Sequence, residues 1–376
     1  MDFGFAPGNG ALAAIRQMLA RRRTTTVIAT PSVTTVQGFI NRLKSTTAIP
    51  KPVDDLLLGA HANAEGFLAI TMFPGQSGDT DYETLEETLA EQRKSVKIED
   101  ALIGYKQSDP VTHAVHLKGC NIGRATGFLL KLKEALGGHV KVTGANHFYW
   151  LYVASTEGVF ETLLYEIIVQ RPHPFVDRAA ALTEFEALNF KLYDGTPVSG
   201  SDWNKVIPRD PNASQTLSVN RPLGRRFGNR ASMGVEIRYD VSSAPWSQTI
   251  SFADAASVPQ SADARMRALR EALQSDPRVQ DQHPYPAWAR MGFTSFADFM
   301  RNHSWVFTQH GKNLSASGTR HIYDVMIPIT DPATVPAGGW FGEGVPVFNF
   351  YPNTGSQLQP ITDRLRVDDT RFFSTV

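Results

Sequence analysis

Cysteine is all but missing: Cys120 is the one thiol in 376 residues. A lone cysteine closes no internal disulfide, and no Cys/His cluster has the spacing of a structural zinc site. The sequence therefore predicts a reducing compartment and neither metal nor cofactor. Net charge is missing as well, because 37 basic side chains balance 37 acidic ones. Without a net field, nothing pulls the chain toward nucleic acid or an anionic bilayer. No apolar run is long enough to span a membrane, and no repeat or low-complexity segment stands out. The opening stretch, MDFGFAPGNGALAAIRQMLARRRTTT, places its basic residues after its apolar ones, the reverse of a secretory leader. These absences predict a cytoplasmic protein with neither nucleic acid nor membrane as partner, and they leave the oligomeric state open.

Apolar residues make up 42% of the chain and charged residues 20%, the balance of a globular protein. At this length one ordinary core is exceeded, so two domains, or one with an extension, are expected. Arg21 to Arg23 close the helix-like run Ala11 to Ala20, where three cations complement a helix dipole as readily as they form a basic patch. Thr24 to Thr30 reads as a buried strand, and Val36, Phe39, Ile40 and Leu43 then recur at helical spacing. The stretches DDLLLGAH (Asp54 to His61) and FLAITMF (Phe67 to Phe73) read as strands around an Asn63 to Gly66 turn. Between Gly75 and Glu91 lie six acids and no base, the pattern of a loop entering a solvated, protease-accessible helix. A strand is expected from Thr112 to Gly119. After it comes a helix with Phe128, Leu129, Leu132 and Leu136 on one face and Gly137 as its stop. HVKVTGA and FYWLYVAS supply two more strands.

Strands alternating with helices of this length predict an α/β fold, a mostly parallel sheet flanked by helices. After about Arg171 the composition turns to Pro, Gly and Asp, and the remainder of the chain reads as a C-terminal α+β extension or domain. The expected division is therefore an N-terminal helical segment 1–23, an α/β domain 24–175 and an accessory domain 176–376. In the last, SADARMRALREALQS is a capped helix with Met266, Leu269 and Leu273 inward. Tryptophans 246, 288, 305 and 340 are either core residues or an aromatic platform.

Ligands of such sheets bind beyond the carboxyl ends of the strands. His61, Cys120 and the pair Asn146 and His147 all fall at such ends. A free cysteine is only a few per cent thiolate near neutrality, so nucleophilic chemistry at Cys120 needs a base or a helix N-terminus beside it. His116 lies four residues before Cys120 on the same strand, roughly 13 Å away, too far for a hydrogen bond. His113 falls on the opposite face from His116, so the two make a poor metal chelate. His310 also ends an apolar run, with Gly311 after it, and is the second choice of base. The bland alternative is a structural thiol packed as a small hydrophobe.

The texts LLLGAHANAEGFLAI and VHLKGCNIG resemble the caspase, metacaspase and gingipain group of cysteine peptidases, loosely over Thr24 to Val169. That group has an apolar strand ending in His-Gly, a hairpin, a variable insertion, and an apolar strand ending in a small residue and the nucleophilic Cys. The resemblance implies a caspase-like α/β fold and a cysteine peptidase, with His61 as general acid/base, Cys120 as nucleophile and Gly119 in the small-residue place. It implies a protein or peptide substrate and a backbone oxyanion site at Ala62 and Cys120. Ala62 stands where the group has glycine, and an alanine still offers the N–H. Lys118, two residues before Cys120, would share its face of the strand and favour an acidic substrate residue, unless it snorkels to solvent. Asn146 and His147 would line the substrate cleft or orient the imidazole, or else pack with Phe148, Tyr149 and Trp150.

Overall fold

The computed structural model describes residues 2–5, 25–27, 34–45, 55–76, 78–92, 114–154, 158–192, 195–221, 233–280, 286–328, 349–352 and 370–376. Arg21 to Arg23, the Ala11 to Ala20 run, His113 and Trp340 lie outside them. The chain forms two compact units. One comprises 1–165, 218–235 and 328–376, and the other 166–217 and 236–327.

In the first unit the strands β1 (Asp2–Phe5), β2 (Thr25–Val27), β3 (Asp55–Gly59), β4 (Ala114–Lys118), β5 (Lys141–Ala145) and β13 (Phe373–Thr375) make one sheet, ordered β13-β5-β4-β3-β1-β2. Every pairing is parallel except β13 on β5. Parallel neighbours need long crossovers, and these carry helices α1 (Val36–Ser45), α2 (Tyr82–Gln92) and α3 (Thr126–Ala135). Leu56, Leu57 and Leu58 are all at most 1% exposed, which is why this strand reads as an unbroken apolar run. Val36, Phe39 and Ile40 of α1 and Phe128, Leu129, Leu132 and Ala135 of α3 complete the same core. The α3 helix stops where Gly137 and Gly138 take φ of 100° and 86° and return their N–H groups to Glu134 and Lys133.

Three expectations for this unit need correction. Phe67 to Phe73 is no strand: Leu68 and Thr71 make only isolated bridges, because their neighbours change from residue to residue along the segment. The segment 1–23 opens with a strand, β1, which lies between β2 and β3, while its helix-like run Ala11 to Ala20 lies outside the described residues. Residues 370–376 belong with this unit, not with an accessory domain beginning at 176. In the acidic stretch, α2 does present Glu83, Glu86 and Glu87 to solvent, while Leu85 is buried. The loop before it is tied down, however. The Gln76 side chain accepts from the Met72 and Phe73 amides at 3.0 and 3.3 Å and donates to Thr80 Oγ1 at 2.9 Å.

Strands β6 (Phe148–Ala154) and β12 (Asn349–Pro352) pair antiparallel with β7 (Gly158–Arg171), which runs on into the second unit. Helices α4 (Arg178–Ala187) and α5 (Gly200–Val206) precede β8 (Gln215–Arg221) and β9 (Met233–Ser251). Next come α6 (Ala262–Gln274), the short α7 (Pro277–Gln280), α8 (Ala287–Arg290) and α9 (Phe296–Arg301), then β10 (Ser304–His310) and β11 (Asn313–Pro328). The antiparallel sheet is ordered β12-β7-β11-β9-β8, with β10 on β11. The second unit is thus α+β, as its pattern suggested. Ser261 caps α6, and Leu269 and Leu273 are fully buried. Trp246, Trp288 and Trp305 pack against Phe293 and Phe299 as core residues.

Candidate active site

Two neighbouring strands of the first unit end together. The β3–β4 register runs to Gly59 opposite Lys118, and the Ala60 N–H still reaches Lys118 O at 3.3 Å. Counting on by two, His61 and Cys120 hold equivalent places beyond the carboxyl ends of parallel strands that lie about 4.8 Å apart where they pair. His61 is exposed and Cys120 half-buried. Close approach of the strand ends depends on Gly119: a Cβ there would sit 2.7 Å from the Ala62 Cβ and 2.9 Å from Ala60 O. Nothing larger fits without moving one strand end.

Beyond His61 the chain folds back as a hairpin. Asn63 Oδ1 accepts from the Glu65 and Phe67 amides at 3.0 Å each. The ladder bonds flanking Ala62 run from Asn63 N to Phe67 O and from Ala69 N to His61 O. Ala62 and Leu68 are therefore a non-hydrogen-bonded pair, and the Ala62 N–H takes no part in the ladder.

Beyond Cys120 the backbone turns sharply. Asn121 has φ of 55°, a left-handed conformation that Asn tolerates better than most residues, and its N–H donates to His147 O at 2.9 Å. A 3-10 turn, Ile122–Arg124, then leads into α3. Gly123 lies so close to Gly144 O and Asn146 Oδ1 that no side chain fits between them. The Cys120 Sγ–H donates to Tyr149 O at 3.4 Å.

Lys118, expected to face substrate or to snorkel, is 1% exposed and does not reach solvent; its Nζ lies 5.7 Å over the Tyr149 ring. Asn146 donates to Thr370 O at 3.2 Å and accepts from Ser374 Oγ at 2.9 Å. His147 is buried, donates through Nε2 to Arg371 O at 2.9 Å and meets the Tyr165 ring edge-on. Burial lowers its pKa to about 4, and the nearby Arg124 adds to that against the opposing Arg371 bond. His116 is a satisfied core histidine, with Nδ1 2.6 Å from Thr143 Oγ1. His310 closes the β10–β11 hairpin of the second unit.

Sequence reasoning missed the Tyr149 carbonyl, the left-handed backbone at Asn121 and residues 370–374. Only Asn121, of a residue type that after glycine best tolerates positive φ, carried a local signal. Among the described residues no group of three or more His, Cys, Asp and Glu is arranged to hold a metal ion, and no helix is long and apolar enough to cross a membrane. Comparison with protein-family models, curated proteins and solved structures finds no match to this chain.

Proposed function

We propose that this chain is a cysteine endopeptidase of caspase-like architecture, with Cys120 and His61 as its catalytic dyad. The observation that carries this reading is the equivalence of His61 and Cys120 at the ends of adjacent parallel strands, held close by Gly119 against Ala62. A histidine and a thiol at one strand edge are the components of acyl transfer.

In the proposed reaction the Cys120 thiolate attacks the scissile carbonyl carbon, forming a C–S bond while the oxygen takes the negative charge. The Ala62 N–H, free of the hairpin ladder, and the backbone at Cys120 stabilise that oxygen. The C–N bond then breaks as protonated His61 gives its proton to the leaving amine. Water, deprotonated by His61, cleaves the thioester to a carboxylic acid and restores the thiol.

One observation favours a second reading, a catalytically silent module of the same fold that binds a partner. The donation from Sγ–H to Tyr149 O stabilises the protonated thiol rather than the thiolate. Alkylation of Cys120 by iodoacetamide across pH separates the two readings, since one cysteine makes the readout unambiguous. The peptidase reading expects a thiol pKa well below the ordinary ~8.5, together with peptide hydrolysis that both Cys120→Ala and His61→Ala abolish. An ordinary thiol pKa with no hydrolysis of a broad peptide library refutes it.

A further inference from the structure

We propose that residues 370–376 and His147 form a clamp that positions the Cys120 turn. This rests on the peptidase reading for its catalytic consequence but not for its geometry.

Three bonds tie the Cys120 turn to the segment after β5. The Asn121 N–H donates to His147 O at 2.9 Å, Sγ–H of Cys120 to Tyr149 O at 3.4 Å, and Arg124 Nε to Asn146 O at 2.7 Å. Residues 146 and 147 are bent backbone between two strands, so no regular ladder fixes them from their own side.

Residues 370–376, the last strand and the turn before it, supply that support. The Asn146 N–H donates to Phe372 O at 2.7 Å, and His147 Nε2 to Arg371 O at 2.9 Å. The Asn146 side chain bridges Thr370 O and Ser374 Oγ. Val142 and Val376 exchange both backbone bonds, at 3.0 and 3.1 Å, and so set the register of the strap. The nucleophile turn is therefore held at second hand by a segment some 250 residues later in the chain.

His147 is the joint. Its carbonyl takes the Asn121 amide and its ring takes the Arg371 carbonyl, so displacing the ring moves the acceptor on which the turn hangs. Donation to a carbonyl fixes the proton on Nε2, which leaves Nδ1 a buried lone pair without a hydrogen-bond partner. The groups facing the ring are the charged Arg124 side chain of the 3-10 turn, the Arg371 carbonyl before β13 and the Tyr165 ring of β7. With one cation and no acid among them, the ring works as a neutral donor. It is a positioning residue, not a base.

The test compares His147→Phe, which keeps a ring against Tyr165 but loses the donor, with His147→Gln, whose amide nitrogen can replace Nε2. Each is made in the full chain. The readouts are the rate of Cys120 alkylation by iodoacetamide against pH, and kcat and KM on a cleaved peptide. In His147→Phe the freed thiol should alkylate roughly tenfold faster at neutral pH, with a lower apparent pKa, because the Tyr149 bond that favours the protonated thiol is lost. Its kcat should fall by at least roughly tenfold with KM changed less than about twofold, and His147→Gln should recover most of both. Ser374→Ala, which removes only the outer bond to Asn146, should shift alkylation the same way by about two- to threefold, and it decides the matter should His147→Phe fail to fold. Alkylation profiles of folded variants that coincide with wild type overturn the clamp, whatever the activity. Shifted alkylation in a protein that hydrolyses no peptide leaves the clamp standing and overturns the peptidase reading instead.

Discussion

Asp324 should make the second unit less stable as pH rises. It lies on β11 directly opposite Asp240 of β9, with Arg238 two places along on the same face of β9 and Glu166 on β7. Burial first, then the charges of Glu166 and Asp240, raise its pKa to about 7, with Arg238 pulling the other way. Its Oδ1 is buried with no hydrogen-bond partner. In the unfolded chain the same carboxyl titrates near the ordinary ~3.9. Between these two values the folded state binds the proton that the unfolded state has lost, so stability falls as pH rises through the window from about 4 to 7. A shift of about three units corresponds to about 4 kcal/mol at ~1.36 kcal/mol each. The side chain keeps some solvent contact, and halving for screening leaves about 2 kcal/mol at pH 8 and somewhat under ~1 kcal/mol at pH 5.

Asp324→Asn keeps the shape and removes the charge. Its stability relative to wild type should improve by about 1 kcal/mol between pH 5 and pH 8. Urea unfolding followed by tryptophan fluorescence is a suitable assay, because Trp203, Trp246, Trp288 and Trp305 all belong to this unit. A variant whose difference from wild type does not change with pH, or which grows relatively weaker toward pH 8, refutes the reasoning.

The other predictions concern the first unit. Cys120→Ala and His61→Ala should each lower peptide hydrolysis by at least about a thousandfold, and should do so non-additively, with little change in melting temperature because neither side chain fills the core. Gly119→Val places atoms against Ala62 Cβ and Ala60 O and should cost about 1–3 kcal/mol, read as a lower urea midpoint; unchanged stability would mean that the strand ends can part freely. Protonating His147 as pH falls from about 6.5 to 4 should weaken the clamp by about 2–3 kcal/mol at pH 4.5 relative to pH 7. Hydrogen exchange at the Asn146 amide should then quicken by a factor of roughly 50 beyond its intrinsic rate, and this dependence should be absent in His147→Gln. Gln76→Ala strips five hydrogen bonds from the loop before α2 and should open it to limited proteolysis, at a cost of about 1–3 kcal/mol; a loop that still resists cleavage would show that other contacts suffice.

What could be read in the sequence, and what could not, divides along one physical line. Leu56 to Leu58 and the Phe128, Leu129, Leu132 spacing announce a strand and a helix because burial is a local pattern, repeated every residue or every turn. Asp2–Phe5 and Phe373–Thr375 announce nothing, since three or four residues hold no period and their partners lie far off in sequence. Phe67 to Phe73 shows the converse failure. Leu68, Ile70 and Met72 alternate inward as in a strand, yet Met72 gives its N–H to the Gln76 side chain, and no neighbouring backbone runs alongside for long enough to make a ladder.

The same line runs through the site. That His61 and Cys120 each end an apolar run is local and legible. That they end at the same level is a matter of register, set by Gly59 meeting Lys118, and no composition rule supplies it. Lys118 misleads for a related reason. A lysine beside a nucleophile invites a reading as a pocket charge or as a snorkelling side chain, but its surroundings come from the Tyr149 ring, 31 residues further on and across a helix crossover. The 58 residues between His61 and Cys120 carry no information by themselves, because the crossover could lengthen or shorten without moving either strand end. Gly119 does carry it: a position where no side chain fits marks two backbones in close approach, and here those are the two that carry the histidine and the thiol.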